Sequence, residues 1–159
     1  MVGIRVLEVD ERDSSWEEMG PRFRVYLHHS GPDFTGGSTS THDITGADVL
    51  QVIDWAQRQA GASMTYAVAL VVDDVDREAH NPGHGRGLVW LVGIDGNDNI
   101  DGDPNGQEKQ TRMLSRRTCP VNVPRTDAMP AGVAGVCSDG MAERKTRPSS
   151  LQADSRKTR

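Results

Sequence analysis

Apolar and polar residues alternate in the first third of the chain, a pattern that predicts β-strands. The period of two is clearest in Arg22–His28, where every second side chain is apolar. Ile4–Val9 is rich in β-branched residues, and Ser40–Ile44 follows a loop rich in glycine. We therefore expect a three-stranded meander before residue 45.

The pattern then changes to a helical period. Thr45 with Asp48 three positions later is typical of a helix start, and Gly61 is typical of a helix end. Between them one face is apolar; it consists of Val49, Val52, Ile53, Ala56 and Ala60. The sequence predicts one main helix over 46–60 that packs this face on a sheet.

Two later segments, Thr65–Val72 and Gly87–Ile94, are apolar on both sides, as expected for strands that are covered on both faces. The main helix can cover only one face of the sheet. A second helix over Gln107–Arg117 has only Met113 and Leu114 as large apolar residues, too few to seal the other face. A homodimer that covers this face remains an open alternative.

The apolar residues also indicate where the domain ends. All seven aromatic residues lie in the first 90 positions, and residues 1–95 hold 24 Leu, Ile, Val and Phe against 7 in residues 96–159. We expect a compact α+β domain over 1–95, an acidic loop with a possible short helix over 96–117, and a disordered basic tail over 118–159. The predicted sheet is small, mixed or antiparallel, in the order β-β-β-α-β-β with one main helix.

Charge divides near the same boundary. Residues 1–95 carry a net charge of −8, whereas residues 109–159 carry +7. A basic tail could contact phosphates weakly, but it lacks the aromatic residues on which bases stack, so nucleic-acid binding is not favoured. No apolar run is long enough to cross a bilayer, and no secretory signal begins the chain, so we expect a cytoplasmic protein without membrane contact.

The acidic loop contains the beginning of a calcium-binding pattern. Asp101, Asp103 and Asn105 supply oxygen ligands at alternate positions, as in an EF-hand loop. The pattern then fails, because Arg112 occupies the position of the bidentate acid and Pro104 interrupts the loop. These three residues remain the metal candidates, although the sequence does not favour a metal site and indicates no cofactor.

The histidines form no recognisable catalytic motif. His80 and His84 have the spacing of a helical metal pair, but the intervening Asn-Pro-Gly forbids a helix. His28 and His42 become neighbours only if their strands pair in a suitable register. A small histidine- or metal-dependent enzyme is therefore an alternative hypothesis, and we prefer a non-catalytic protein.

Trp55 is the strongest candidate for a partner contact. It projects away from the apolar face of the predicted helix, and an exposed Trp is a frequent anchor of protein interfaces. Its candidate neighbours in the contact are Asp48, Gln51, Arg58 and Gln59. The alternative is that a loop or the tail covers Trp55.

One resemblance bears on function. Three runs carry it: Thr41–Trp55, Tyr66–Leu70 and Gly87–Gly93, in the order strand, capped helix, strand and glycine-led strand. Over residues 40–95 this order resembles small uncharacterised actinobacterial proteins and the Imm1-like immunity proteins of polymorphic toxin systems. The resemblance implies a toxin-neutralising binding protein whose acidic surface meets a basic partner. We therefore expect a non-catalytic protein-binding domain, of immunity or accessory type, with a protein partner or a second copy.

Overall fold

The computed structural model describes residues 4–133, which form one antiparallel sheet with three helices against it. The elements in chain order are β1 (Arg22–His29), β2 (Ser38–Ile44), α1 (Val49–Ala60), β3 (Met64–Asp73), α2 (Val75–His80), β4 (Arg86–Val92) and α3 (Pro104–Ser115). Short 3-10 turns lie at Glu11–Asp13 and Arg125–Asp127. The order across the sheet is β2-β1-β3-β4, so β2 and β4 are its edges. The α+β class and the antiparallel sheet are confirmed.

The strand expected over Ile4–Val9 does not form. These residues are extended but highly exposed, with Ile4 at 98% and Val6 at 92%, and they pair with no strand among residues 4–133. A β-rich sequence becomes a strand only when a partner supplies hydrogen bonds and a surface to pack on. The meander therefore has two strands, β1 and β2, joined in register from Phe23 with Ile44 to His29 with Ser38.

Helix α1 is where the pattern predicts it, but its cap is different. Asp48, not Thr45, is the N-cap: its carboxylate accepts from the Gln51 amide, and the Gln51 side chain accepts from the Asp48 amide. This reciprocal pair satisfies two amide groups that the helix cannot bond internally. At the other end Gly61 has φ of 54° and donates to the Gln57 carbonyl, as expected for a glycine that ends a helix.

The main core lies between α1 and one face of the sheet. It contains the alternate apolar residues of β1, the facing residues of β3, and the buried face of α1: Phe23, Val25, Leu27, Val52, Trp55, Ala56, Ala60, Tyr66, Val68 and Met129. A helix about 10 Å wide spans roughly two strands that lie 4.8 Å apart. In agreement, α1 packs mainly on β1 and β3, and of the edge strand β4 only Val92 packs against this core.

Helix α3 covers part of the opposite face. Met113, only 1% exposed, packs with Ala67 and Ile94, and Tyr26 and Trp90 lie against this second cluster. A single buried methionine is sufficient here because small alanines of β3 face it. The other half of this face, toward Arg22 and Asp73, has no helix over it.

Residues 118–133 correct the expectation of a tail that is disordered throughout. They follow a defined path across α1 and place Met129, 7% exposed, in the main core. The remaining predicted tail, 134–159, lies outside the described residues. No helix within residues 4–133 has the length and apolarity to span a membrane.

Candidate functional site

Trp55, the strongest sequence candidate, is not exposed. It is 3% accessible, its Nε1 donates to the Val133 carbonyl at 3.3 Å, and the ring of His42 meets it edge-on at 5.3 Å between centroids. The prediction of an exposed contact residue is wrong, and its stated alternative, cover by the C-terminal segment, describes the structure. The expectation that Trp55 projects away from the core is also wrong, because Trp55 belongs to the main core between α1 and the sheet; the C-terminal segment adds to its cover.

The other candidate contact residues mostly serve this internal packing. Arg58 donates to the Met129 carbonyl at 2.9 Å and pairs with Asp54 at 2.6 Å, while Asp54 accepts from the Met129 amide at 2.9 Å. Asp48 and Gln51 form the helix cap described above. Of the predicted set only Gln59 is an exposed side chain without such a role among the hydrogen bonds of residues 4–133.

The acidic loop is organised by its own turns. Asp103 caps α3 by accepting from the Asn105 amide at 3.0 Å, and the amide of Asp101 is bonded to Asn99 at 2.9 Å. Asp101, Asp103 and Asn105 are all exposed. Between residues 4 and 133 no three His, Cys, Asp or Glu side chains come together as metal ligands.

His28 is the most constrained of the histidines. It is fully buried, its Nε2 accepts from the Gly96 amide at 3.2 Å, and its Nδ1 lies 3.1 Å from the Thr39 hydroxyl. Since Nε2 accepts, the proton of the neutral ring belongs on Nδ1 and is donated to Thr39. Burial lowers the pKa of His28, and the charge of Asp95 opposes this. His28 thus joins β1 to β2 and to the loop after β4 as a neutral structural residue.

The other histidines are separate from it. In the observed register His28 faces Thr39, whereas His42 faces Val25, so the two rings are not neighbours. His80 is the last residue of α2 and bonds to the Asp76 carbonyl, and His84 lies in the following turn. No pair of histidines forms a site among the described residues.

Charged residues line the uncovered half of the second sheet face. Asp43 accepts two hydrogen bonds from Arg24, at 2.6 and 2.9 Å, which hold the pKa of Asp43 below its usual value. Asp73 accepts from Arg86 at 2.7 Å and from Arg22 at 2.8 Å, and its pKa is lowered mainly by Arg86. The network links all four strands and is neutralised largely within itself, so it does not form a free cationic patch.

A cavity of about 600 Å³ lies between α2 and the start of β4. Its lining contains acids and Arg86 but no His, Ser or Cys: Asp73, Asp74, Val75, Glu78, Ala79, Gly83, Gly85 and Arg86. Glu78 accepts from the amides of Gly83 and Gly85, at 2.8 and 2.7 Å, and these bonds lower its pKa. Its carboxylate therefore orders the glycine-rich turn, and the lining supplies no Ser or Cys nucleophile with a His beside it.

Among residues 4–133, the edge strand β4 exposes apolar side chains beside an unpaired strand edge. It pairs with β3 alone, and Val89 and Leu91 are 50% and 45% exposed. On the side of α1, Val89 adjoins Leu70 and the half-exposed Val72. A bulge interrupts the ladder between the pairs Ala69–Trp90 and Val68–Val92, which limits regular pairing to Arg86–Trp90.

No family model, curated protein or solved structure matches this chain.

Proposed function

We propose that this chain is a non-catalytic protein-binding domain, of immunity or accessory type, that binds through the edge strand β4. The observation that carries the proposal is the combination of an unpaired strand edge with half-exposed Val89 and Leu91. An open, apolar edge is a template for another strand, and natural proteins usually protect such edges. The enzyme alternative has no assembled group of catalytic residues among residues 4–133 to support it.

The opposite edge provides an internal comparison. Strand β2 reads Ser-Thr-Ser-Thr-His-Asp-Ile and has no large apolar residue before Ile44. On the face of the sheet that α1 covers, Trp55 packs on His42 of β2, and Met129 packs in the main core. Edge β4 reads Arg-Gly-Leu-Val-Trp-Leu-Val, and only Val92 of it packs against the core beneath α1. Strand β2 therefore offers little apolar surface to a partner, whereas the exposed apolar residues of β4 favour association.

The occupant we propose for this edge is β4 of a second copy. Two-fold antiparallel pairing would satisfy both edges at once and place both open apolar strips in one interface. Because the bulge confines regular pairing to Arg86–Trp90, the natural centre is Leu88. That register sets Arg86 opposite Trp90 of the second copy, where a guanidinium can lie over the indole ring.

Sedimentation velocity tests this directly. We expect a dimer that dissociates on dilution, and Val89→Lys should be a monomer because it places a charge in the strand interface. Thr41→Lys is the matched control, since it adds the same charge to an exposed position of the other edge and should leave the dimer intact. A wild-type chain that stays monomeric at the highest attainable concentration would rule out the second copy.

The immunity-type role has a separate test. If a neighbouring gene encodes a toxin-like protein, the purified product should bind this chain, and raised salt should weaken the complex because acidic surface faces a basic partner. The toxin would compete with the second copy for β4, so Val89→Lys should weaken toxin binding and Thr41→Lys should not. Binding that is equally strong in both variants would show that the partner uses a different surface, whatever the oligomeric state.

A further inference from the structure

A small cavity lies at the other end of β3, where β4 no longer accompanies it. Strand β4 pairs only with Val68–Asp73, so the first residues of β3 have α3 and its following turn beside them instead. The cavity has a volume of about 190 Å³ and is lined by Gln57, Gly61, Met64, Tyr66, Met113, Arg116, Arg117 and Pro120. Since one water occupies roughly 30 Å³ of liquid, this space is sufficient for one small polyatomic ion.

Three polar atoms of the lining residues are buried without a hydrogen-bond partner in the described chain. They are the Tyr66 hydroxyl, Arg116 Nη1 and Arg117 Nε. Tyr66 is only 3% exposed, so its hydroxyl has almost no access to bulk water. Buried polar groups are nearly always satisfied, and here three unsatisfied groups belong to residues that line one cavity.

All three groups can donate, and two belong to cations. The cavity lining contains no carboxylate, and neither Arg116 nor Arg117 forms an ion pair within residues 4–133. Burial raises the pKa of Tyr66, with the charge of Arg116 opposing, so the phenol keeps its proton at neutral pH and is available as a donor. An anion with several oxygen atoms can accept from all three groups at once.

Other hydrogen-bonding groups of the lining already have partners in the protein. Arg117 donates to the Gly31 and Pro32 carbonyls at 2.9 and 3.0 Å, which anchors its side chain and fixes its Nε. The Gln57 amide exchanges two hydrogen bonds with the Val121 backbone, at 2.9 and 3.1 Å. A basic residue at the end of α3 also suits the negative helix terminus, but that does not account for the buried Tyr66 hydroxyl.

We infer that this cavity is a binding site for a small oxyanion, a phosphate or a carboxylate, held by the Tyr66 hydroxyl and the guanidinium groups of Arg116 and Arg117. The site does not depend on the edge strand β4 or on the proposed association. The bound oxygens would join the end of α3 to the start of β3, so occupancy should also stabilise the fold.

Inorganic phosphate is the first probe and sodium acetate the second, each compared with sodium chloride at equal ionic strength. We expect one of them to raise the melting temperature of the full chain above the chloride value and to shift amide resonances near residues 57–66 and 113–120. Arg116→Gln should weaken the apparent affinity at least about tenfold, since it removes a charge-assisted hydrogen bond. Arg77→Gln is the matched control, because it removes the same charge from an exposed helix that does not line the cavity.

Tyr66→Phe gives a second test, because stability without the anion and affinity for the anion should not change in the same direction. Without the anion it should leave stability unchanged or raise it, because an unsatisfied buried hydroxyl is removed. With the anion it should lower affinity, so the gain in melting temperature on adding phosphate or acetate shrinks. If Arg116→Gln does not fold, this variant decides the question alone.

The relative effect of the two probes distinguishes a phosphate site from a carboxylate site. If neither probe exceeds chloride, or if Arg116→Gln and Arg77→Gln respond alike, the inference is overturned. The result does not bear on the oligomeric state, which Val89→Lys tests separately.

Discussion

Met129→Ala tests whether residues 118–133 are part of the domain. Met129 is 7% exposed in the main core, and its amide and carbonyl are bonded to Asp54 and Arg58, which lie more than 70 positions earlier. The substitution keeps both backbone bonds and removes only the buried side chain. Truncation of a buried Met to Ala typically costs about 2–5 kcal/mol.

That loss is large against a total stability of roughly 5–15 kcal/mol for a domain of this kind. With a urea dependence of about 1–3 kcal/mol per molar, the unfolding midpoint should fall by at least about 0.7 M while the slope stays unchanged. The assay is equilibrium unfolding in urea followed by tryptophan fluorescence. Trp55 lies under the same segment and reports directly on its release.

Thr126→Ala is the control, because Thr126 is exposed in the same segment and its loss should change stability by no more than about 0.5 kcal/mol. If Met129→Ala matches Thr126→Ala, the segment does not pack on α1 and the account of the core is wrong. A fall in the slope without a change in extrapolated stability would also contradict it, because it would mean that Met129 affects the unfolded chain instead.

Two further predictions follow from buried residues. Trp55→Ala should destabilise by about 3–5 kcal/mol, measured by the same unfolding assay, whereas Trp16→Ala, at a residue 78% exposed, should have little effect; equal effects would mean that Trp55 is not buried. For His28, burial lowers the pKa in the folded state, so the unfolded chain binds more protons below about pH 6.5 and stability should fall as the pH drops through that value toward the lower folded pKa. His28→Gln should lose this dependence in urea unfolding between about pH 7.5 and 5, and an unchanged dependence would assign it to another group.

The local elements were predictable because each depends on its own residues. The alternation in Arg22–His28 and the helical period before Gly61 locate β1 and α1 to within a few positions. Both patterns reflect which side of an element is buried. For β1 the buried side is the predicted one, whereas α1 buries Trp55 and leaves Val49, a residue of the predicted apolar face, 38% exposed. The antiparallel α+β sheet follows from these elements and their short connections.

The failures share a cause, which is dependence on distant residues. Ile4–Val9 has a suitable composition for a strand but no neighbour to pair with among residues 4–133. The cover of Trp55 depends on residues 118–133, in which Met129 is the single buried side chain. One apolar residue in a polar segment forms no pattern that would predict packing. The oxyanion cavity was equally invisible, because Tyr66 and Arg116 are 50 positions apart and become neighbours only when α3 fills the space left by the short β4.

The path of residues 118–133 also affects the order of events during synthesis. Met129 follows Asp54, its contact on α1, by 75 residues. At about 5–20 residues per second, a ribosome needs roughly 4–15 s to make that interval. During this time residues 118–133 do not yet pack on α1 and Trp55, and the apolar surface of α1 is available to chaperones or to other nascent chains. We therefore expect the domain to be most vulnerable to aggregation during translation, until Met129 packs into the core.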